Sequence, residues 1–163
     1  MDIRPYDPEV DATALWSLKR DFELGLGTGT GDEAKKTKYA GKVTDDYRDR
    51  YLQWVDRCVT NDERCVTVAE HPTDGLIGYV FVLPERLAMI WDAAVLNEIY
   101  VDPDHRGSDA ADELMAAALG VARDQELPLD RLVLDVDREN DRAQAFYERH
   151  GFTHWGEMVA REL

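Results

Sequence analysis

Nonpolar residues lie along this sequence in short runs that predict β-strands. Residues 76–83 are apolar almost throughout, as expected for the centre of a sheet that is covered on both faces. Weaker patterns predict strands at 2–4, 65–70, 94–101 and 131–136, and a final strand or hairpin fragment at 152–163.

Elsewhere, nonpolar side chains recur every three or four positions, which predicts amphipathic helices. Between the first two of these helices lies a segment rich in glycine and threonine, residues 25–43, which we expect to be a mobile loop. Residues that cap or break helices indicate where the four predicted helices begin and end. The expected starts are Asp7–Pro8, Thr44, about Asp109 and Asn140. The corresponding ends are Gly25 and Gly27, a point after Cys58, Leu127–Pro128 and Gly151.

The order of the predicted elements indicates an α/β (α+β) fold. A helix separates strand 94–101 from strand 131–136, so these two strands should be parallel neighbours. The earlier strands are joined by short turns and should be antiparallel. The expected fold is a mixed, mostly antiparallel sheet with a central parallel pair and helices on both faces. With 163 residues, no repeats and no Pro/Ser-rich linker, the chain is expected to form a single domain over 1–163.

The composition narrows the choice of partners. The chain carries 34 acidic and 19 basic residues, a formal charge of −15. Such a surface repels nucleic acid and anionic membranes and attracts cationic partners such as amines. Acidic, lysine-poor sequences also resemble the proteins of salt-loving microbes, where high salt screens the repulsion. We favour this adaptation as the cause of the charge.

Other features of the sequence suggest a cytoplasmic protein without a metal. No nonpolar run approaches the roughly 20 residues of a membrane span, and the first residues do not resemble a signal peptide. Cys58 and Cys65 are expected to be buried, reduced thiols. The four histidines lack the spacing of metal ligands, so no metal is expected.

One stretch, residues 98–111, combines the end of a strand, a polar turn and the start of a helix. Such a junction directs backbone N–H groups and the positive end of a helix dipole at one point, which can hold a phosphate. The same pattern also fits an ordinary connection between a strand and a helix.

Two segments resemble the GNAT N-acetyltransferases. Residues 106–111, Arg-Gly-Ser-Asp-Ala-Ala, partly match that family's pyrophosphate loop, Arg/Gln-x-x-Gly-x-Gly/Ala. Residues 140–152 match its second motif, Asn-x-x-Ala-x-x-Phe-Tyr-x-x-x-Gly-Phe, at every fixed position. The resemblance covers about residues 94–152.

This resemblance implies an enzyme that transfers the acetyl group of acetyl-CoA directly to a primary amine, with no metal, and a homodimer is common among relatives. The pantetheine arm is expected beside the strand edge and the pyrophosphate at the loop. The implied coenzyme-binding residues are Ile99, Tyr100, Val101, Arg106, Gly107, Ser108, Asp109, Ala110, Ala111, Asn140, Ala143 and Tyr147.

The resemblance also suggests catalytic residues. Tyr147 matches the tyrosine that protonates the departing thiolate. Glu98 is either the base that acts on the amine, through a water, or one half of a structural ion pair. Glu70 and His71 are weaker candidates for the base.

One residue departs from the family's pattern. Asp109 stands where the pyrophosphate loop has its central glycine, and its charge would repel a phosphate. The alternative function is therefore a non-catalytic GNAT-fold acyl-CoA-binding or regulatory module with an impaired loop. The acceptor is not identified, because residues 22–50 and 84–93, which would select it, match no known motif.

Overall fold

The computed structural model describes residues 1–29 and 33–163. Short 3₁₀ turns lie at Glu63–Cys65 and Pro103–His105. The strands are β1 (Asp2–Pro5), β2 (Val66–His71), β3 (Gly75–Val82), β4 (Ala94–Val101) and β5 (Leu132–Val133). The helices are α1 (Ala12–Gly29), α2 (Glu33–Lys42), α3 (Asp45–Asn61), α4 (Glu85–Ala88), α5 (Ala110–Asp124) and α6 (Asp141–Arg149).

The five strands form one mixed sheet in the order β1-β2-β3-β4-β5. The first four are antiparallel neighbours, whereas β4 and β5 are parallel. The predicted fold class and the predicted parallel pair are therefore both confirmed.

Helices pack on both faces of the sheet and produce two hydrophobic cores. Strand residues alternate between them: Val68 and Tyr79 belong to the core under α1 and α3, whereas Ala69 and Val80 belong to the core under α5. On the second face the backbone comes close to its neighbours at Gly78. A Cβ atom there would lie 2.7 Å from the Tyr100 carbonyl oxygen and 3.2 Å from Leu114 Cδ1.

A β-bulge interrupts the alternation in β4. Phe81 pairs with Glu98, but Val82 pairs with Leu96, so Asn97 is an extra residue on β4. As a result Leu96 lies in the α5 core, while the side chain of Glu98 contacts residues of α1 and α3 on the opposite face.

Helix boundaries differ from the prediction near the N-terminus. Helix α1 begins at Ala12 because Asp7 instead closes a turn, in which its carboxylate accepts from the Glu9 N–H. The helix also continues past Gly25 to Gly29, and α2 occupies much of the predicted loop. A glycine costs a helix only about 1 kcal/mol, which the packing of Leu15 and Leu18 can offset. Residues 30–32 of that loop lie outside the described residues.

The prediction at the C-terminus is wrong. Residues 152–163 contain no strand, and their contacts are made by side chains, such as the stacking of Arg131 on Trp155. Strand β5 is also shorter than predicted.

Two further expectations can be compared with the structure. Cys58 and Cys65 are free and buried, as predicted, and burial raises the pKa of the Cys65 thiol to about 12. Within 1–29 and 33–163, none of the helices combines the length and the apolar character that crossing a membrane requires.

Candidate active site

The candidate site is a gap in the sheet between β4 and β5. The two strands pair only at Ala94 with Leu132 and at Val95 with Val133. Strand β4 continues to Val101, and among the described residues no strand pairs with this edge beyond Val95. Strand β4 therefore presents an exposed edge beyond Val95, on the side of the sheet's last strand.

The backbone at this edge is oriented toward the gap. The Asp102 N–H donates to the Ile77 carbonyl across the β3–β4 ladder at 2.8 Å. Hydrogen bonding alternates along an antiparallel strand, so Tyr100 pairs toward β3 while the N–H groups of Ile99 and Val101 point toward the gap. The Val101 carbonyl also points there, where it accepts from Arg106 Nε at 3.1 Å.

At the end of β4 the chain turns sharply into α5. Gly107 has φ +84°, a left-handed conformation that favours glycine. The Ser108 hydroxyl donates to the His105 carbonyl at 2.7 Å and so holds the turn closed. Helix α5 then begins at Ala110, whose N–H donates to the Ser108 hydroxyl oxygen at 3.4 Å. The other N–H groups of its first turn have no partner within the helix, as at any helix N-terminus.

Asp109 does not occupy a position that requires glycine. Its φ and ψ are −74° and −4°, ordinary values for the start of a helix, and its side chain is exposed. The glycine-dependent position of this loop is Gly107. The departure from the family's pattern therefore adds a charge without straining the backbone.

Two guanidinium groups lie beside this loop. Arg106 stacks over the ring of Tyr100, 5.7 Å from its centroid. Burial, together with the charge of Arg106, lowers the pKa of Arg142, which lies in the first turn of α6. The mutual repulsion of these two groups would be relieved by a bound anion.

Helix α6 carries the second motif, and the fixed residues of this motif shape the ends of the helix. The Asn140 side chain accepts from the Ala143 N–H at 3.1 Å, so it caps the N-terminus. At the other end Gly151 has φ +84°, and its N–H donates to the Glu148 carbonyl. The Phe152 N–H donates to the Tyr147 carbonyl. This is the Schellman arrangement, completed by contact between the Phe152 and Tyr147 rings.

The end of α6 thereby fixes Tyr147. Its ring packs against Phe146 and Phe152, in the same core to which Ile99 contributes. Burial raises the pKa of Tyr147 to about 12, so its phenol stays protonated at neutral pH. Its hydroxyl has no hydrogen-bond partner in the described part of the chain.

Glu98 lies on the opposite face, in a buried polar cluster. Its Oε1 accepts from Lys19 Nζ at 2.5 Å, and its Oε2 accepts from the hydroxyls of Tyr51 and Tyr79 at 2.9 and 2.8 Å. Burial and the Glu98 charge raise the pKa values of both tyrosines well above their ordinary value.

The cluster extends along α1. Lys19 also pairs with Glu23 at 2.6 Å, and Glu23 in turn pairs with Lys42 at 2.9 Å. Burial opposes the charge on Lys19, but Glu98 and Glu23 outweigh this effect and raise its pKa. Burial likewise opposes the charge on Glu23, whose pKa is nevertheless lowered by the two lysines.

Sequence reasoning missed Lys19 and its tyrosine partners. A signal was present, since Lys19 falls within the apolar stripe of α1 and has Glu23 four residues later.

The two weaker candidates for the base lie outside this cluster. Glu70 pairs with Arg4 on β1, and His71 lies beside Asp74 and His105.

A mixed sheet that opens between two parallel strands, beside the N-terminus of a helix, places the chain among α/β proteins whose strand–loop–helix junctions can hold an anionic group. Comparison with known proteins specifies the class further. Residues 31–152 match the acetyltransferase (GNAT) family, and the chain belongs to that family.

Similar proteins have been described in several bacteria and archaea. The chain is 42% identical over 74 residues to a mycothiol acetyltransferase of Salinispora tropica; the match covers 44% of this chain but only 24% of that protein. A second mycothiol acetyltransferase, from Salinispora arenicola, is 42% identical over 67 residues, which cover 39% of this chain and 22% of that protein.

Solved structures show the same fold. A ribosomal-protein-alanine N-acetyltransferase from Brucella melitensis has a TM-score of 0.71 at 22% identity, covering 96% of this chain and 86% of that one. The PaiA N-acetyltransferase of Thermoplasma acidophilum, in complex with coenzyme A, has a TM-score of 0.70 at 20% identity. The match covers 93% of this chain and 89% of that one.

We expect Lys19→Met to lower the free energy of unfolding by about 3–5 kcal/mol, because it leaves two buried carboxylates without their shared cation. Denaturant unfolding monitored by tryptophan fluorescence measures the loss. The matched control is Lys42→Met. Lys42 pairs with the same Glu23 but its side chain is 41% exposed, so the loss should be about 1 kcal/mol. Equal losses in the two variants would contradict this account of the cluster.

Proposed function

We propose that this protein is an acetyl-CoA-dependent N-acetyltransferase that transfers the acetyl group directly to a primary amine. The observation that carries the proposal is the exposed edge of β4 opposite β5, with the α5 N-terminus at its end. Membership of the GNAT family supports the same activity.

The gap suits the coenzyme chemically. The pantetheine arm contains amides that can pair with a strand edge, so we place it along Ile99, Tyr100 and Val101. The pyrophosphate would lie at the first turn of α5, where Gly107, Ser108 and the N–H groups of residues 109–111 meet. Arg106 and Arg142 add positive charge there. Asn140 and Ala143, in the first turn of α6, are proposed to border the arm.

The reaction then needs two contributions from this chain, a donor that stabilises the oxyanion and an acid that protonates the leaving thiolate. A neutral amine attacks the thioester carbonyl and forms a C–N bond, and the oxygen becomes an oxyanion. The Ile99 N–H, which points into the gap, is proposed to stabilise that charge. As the C–S bond breaks, Tyr147 donates its proton to the thiolate. The amine's surplus proton leaves to a base or to solvent.

Glu98 is better suited to holding β4 in position than to accepting the proton of the amine. Both of its oxygens already accept hydrogen bonds from Lys19, Tyr51 and Tyr79, and it is only 6% exposed. We therefore propose that Glu98 fixes the backbone of β4 beside Ile99 and joins it to α1 and α3. Of the two interpretations that the sequence left open, a base or one half of a structural ion pair, this proposal corresponds to the ion pair.

The acceptor is proposed to be an amine bound near the C-terminal half of α1, α2 and the link 84–93. The related proteins include a mycothiol acetyltransferase and an acetyltransferase of ribosomal-protein alanine. The charge of −15 attracts cationic acceptors, but we favour salt adaptation as its cause, so the charge is weak support for any one acceptor. A cytoplasmic location and a homodimer stay predictions.

Tyr147→Phe should lower kcat by about 10²–10⁴-fold, because the thiolate loses its proton donor, while the acetyl-CoA dissociation constant stays unchanged. Turnover is measured as thiol release from acetyl-CoA with a panel of small amines, aminoglycosides and peptides that carry a free N-terminus or lysine. Tyr6→Phe is the control, since Tyr6 is also a buried tyrosine and its hydroxyl has no partner among the described residues. Full turnover in Tyr147→Phe would remove Tyr147 from the mechanism.

Asp109→Asn should tighten acetyl-CoA binding about threefold at low salt. A carboxylate about 6 Å from a phosphate in water-like surroundings contributes roughly 0.7 kcal/mol of repulsion. Calorimetry in low and in high potassium chloride measures the effect, which salt should abolish. Asp130→Asn removes an equal charge elsewhere and controls for the total charge. No heat with acetyl-CoA in either salt would instead favour a non-catalytic regulatory module that has lost the coenzyme.

A further inference from the structure

His71, Asp74 and His105 converge where the β2–β3 turn meets the loop that follows β4. Asp74 Oδ2 lies 3.1 Å from His71 Nδ1 and 3.2 Å from His105 Nε2. The ligand atoms of the three residues all lie within 4.8 Å of one another. We propose that these residues form a binding site for a divalent transition-metal ion of the zinc type.

The two distances from Asp74 to the histidines agree with the geometry of zinc. Two ligand atoms, each about 2.0–2.1 Å from a zinc ion and at the tetrahedral angle, lie about 3.3–3.4 Å apart. The two His–Asp distances are within a few tenths of an ångström of that value, so small rotations of the side chains would accommodate an ion. The two imidazole nitrogens favour a zinc-type ion over magnesium or calcium, which prefer oxygen ligands only, and the carboxylate oxygen is a ligand that zinc also accepts.

The site is built by the sheet rather than by flexible side chains alone. His71 ends β2 and pairs with Gly75, whose φ of +74° closes the tight turn that holds Asp74. His105 follows β4, whose end is joined to β3 by the bond from Asp102 N–H to the Ile77 carbonyl. The pairing of β3 with β4 therefore sets the separation of the three ligands.

A neighbouring side chain orients the carboxylate. The Thr73 hydroxyl donates to Asp74 Oδ1 at 2.8 Å and also lies 3.1 Å from His71 Nδ1. This leaves Asp74 Oδ2 directed at the two imidazoles, as an outer-shell partner does in metal sites. The histidine side chains are 36% and 22% exposed, so a water can complete the fourth position.

The two histidines are far apart in the sequence, which explains why their spacing gave no signal for a metal. His71 and Asp74 are separated by two residues, but His105 comes from another segment. A bound ion would join the β2–β3 turn to the residue that precedes Arg106. The proposal does not depend on acetyl transfer.

Zinc titration of the tag-free protein by calorimetry tests the site, with Co²⁺ absorption as the report on geometry. We expect one ion per chain and the visible bands of tetrahedral Co²⁺. Removal of an outer-shell partner weakens metal binding by about 10–100-fold. Because His71 and His105 would be direct ligands, His71→Gln and His105→Gln should each weaken zinc binding by at least that factor. His154→Gln, which changes an exposed histidine outside the cluster, should bind zinc like the unaltered protein.

Thermal unfolding of the same proteins provides the second readout. Zinc should raise the Tm of the unaltered protein and of His154→Gln, but not that of the two ligand variants, whose metal-free Tm values show whether they are folded. Zinc affinity that is equal in all four proteins would overturn the proposal. The absence of stoichiometric binding to the unaltered protein would also overturn it, and the three side chains would then form an ion-pair cluster only.

Discussion

The separation of β4 from β5 is the constraint on which the candidate site depends. A sheet normally satisfies the backbone groups of its central strands, yet here the two parallel strands pair at only two positions. The N–H groups of Ile99 and Val101 therefore point into an opening flanked by α5 and α6. The same opening brings together a helix N-terminus, two guanidinium groups and Tyr147, so a backbone feature determines where these side chains meet.

The β-bulge at Asn97 is the second feature that shapes the site. Strict alternation would place Glu98 with Leu96 in the core under α5, where a carboxylate would lie among nonpolar side chains. The extra residue turns Glu98 to the other face, where it meets Lys19, Tyr51 and Tyr79. The buried ion pair then joins α1 to β4 directly beside the opening. Breaking such a pair is costly, although forming it contributes little net stability.

Much of the fold could be predicted because it depends on local patterns. Strand 94–101 and the parallel pair followed from apolar runs and the intervening helix. The second motif is readable for a physical reason, since Gly151 and Phe152 end α6 in a way that fixes Tyr147. The features that depend on tertiary packing could not be predicted from the sequence. The partners of Lys19, the continuation of α1 through Gly25 and the meeting of His71 with His105 are decided by elements distant in the sequence. Residues 152–163 have strand-like composition but no strand partner in the structure.

Amide hydrogen exchange along β4, with and without coenzyme A, tests the central claim most directly. If the coenzyme arm pairs with the exposed edge, the amides of Ile99 and Val101 become protected when it binds. The Tyr100 amide is an internal control, because it is already paired toward β3 and should change little. Binding of coenzyme A with no added protection at Ile99 and Val101 would contradict the account, since the ligand would then lie elsewhere on the protein.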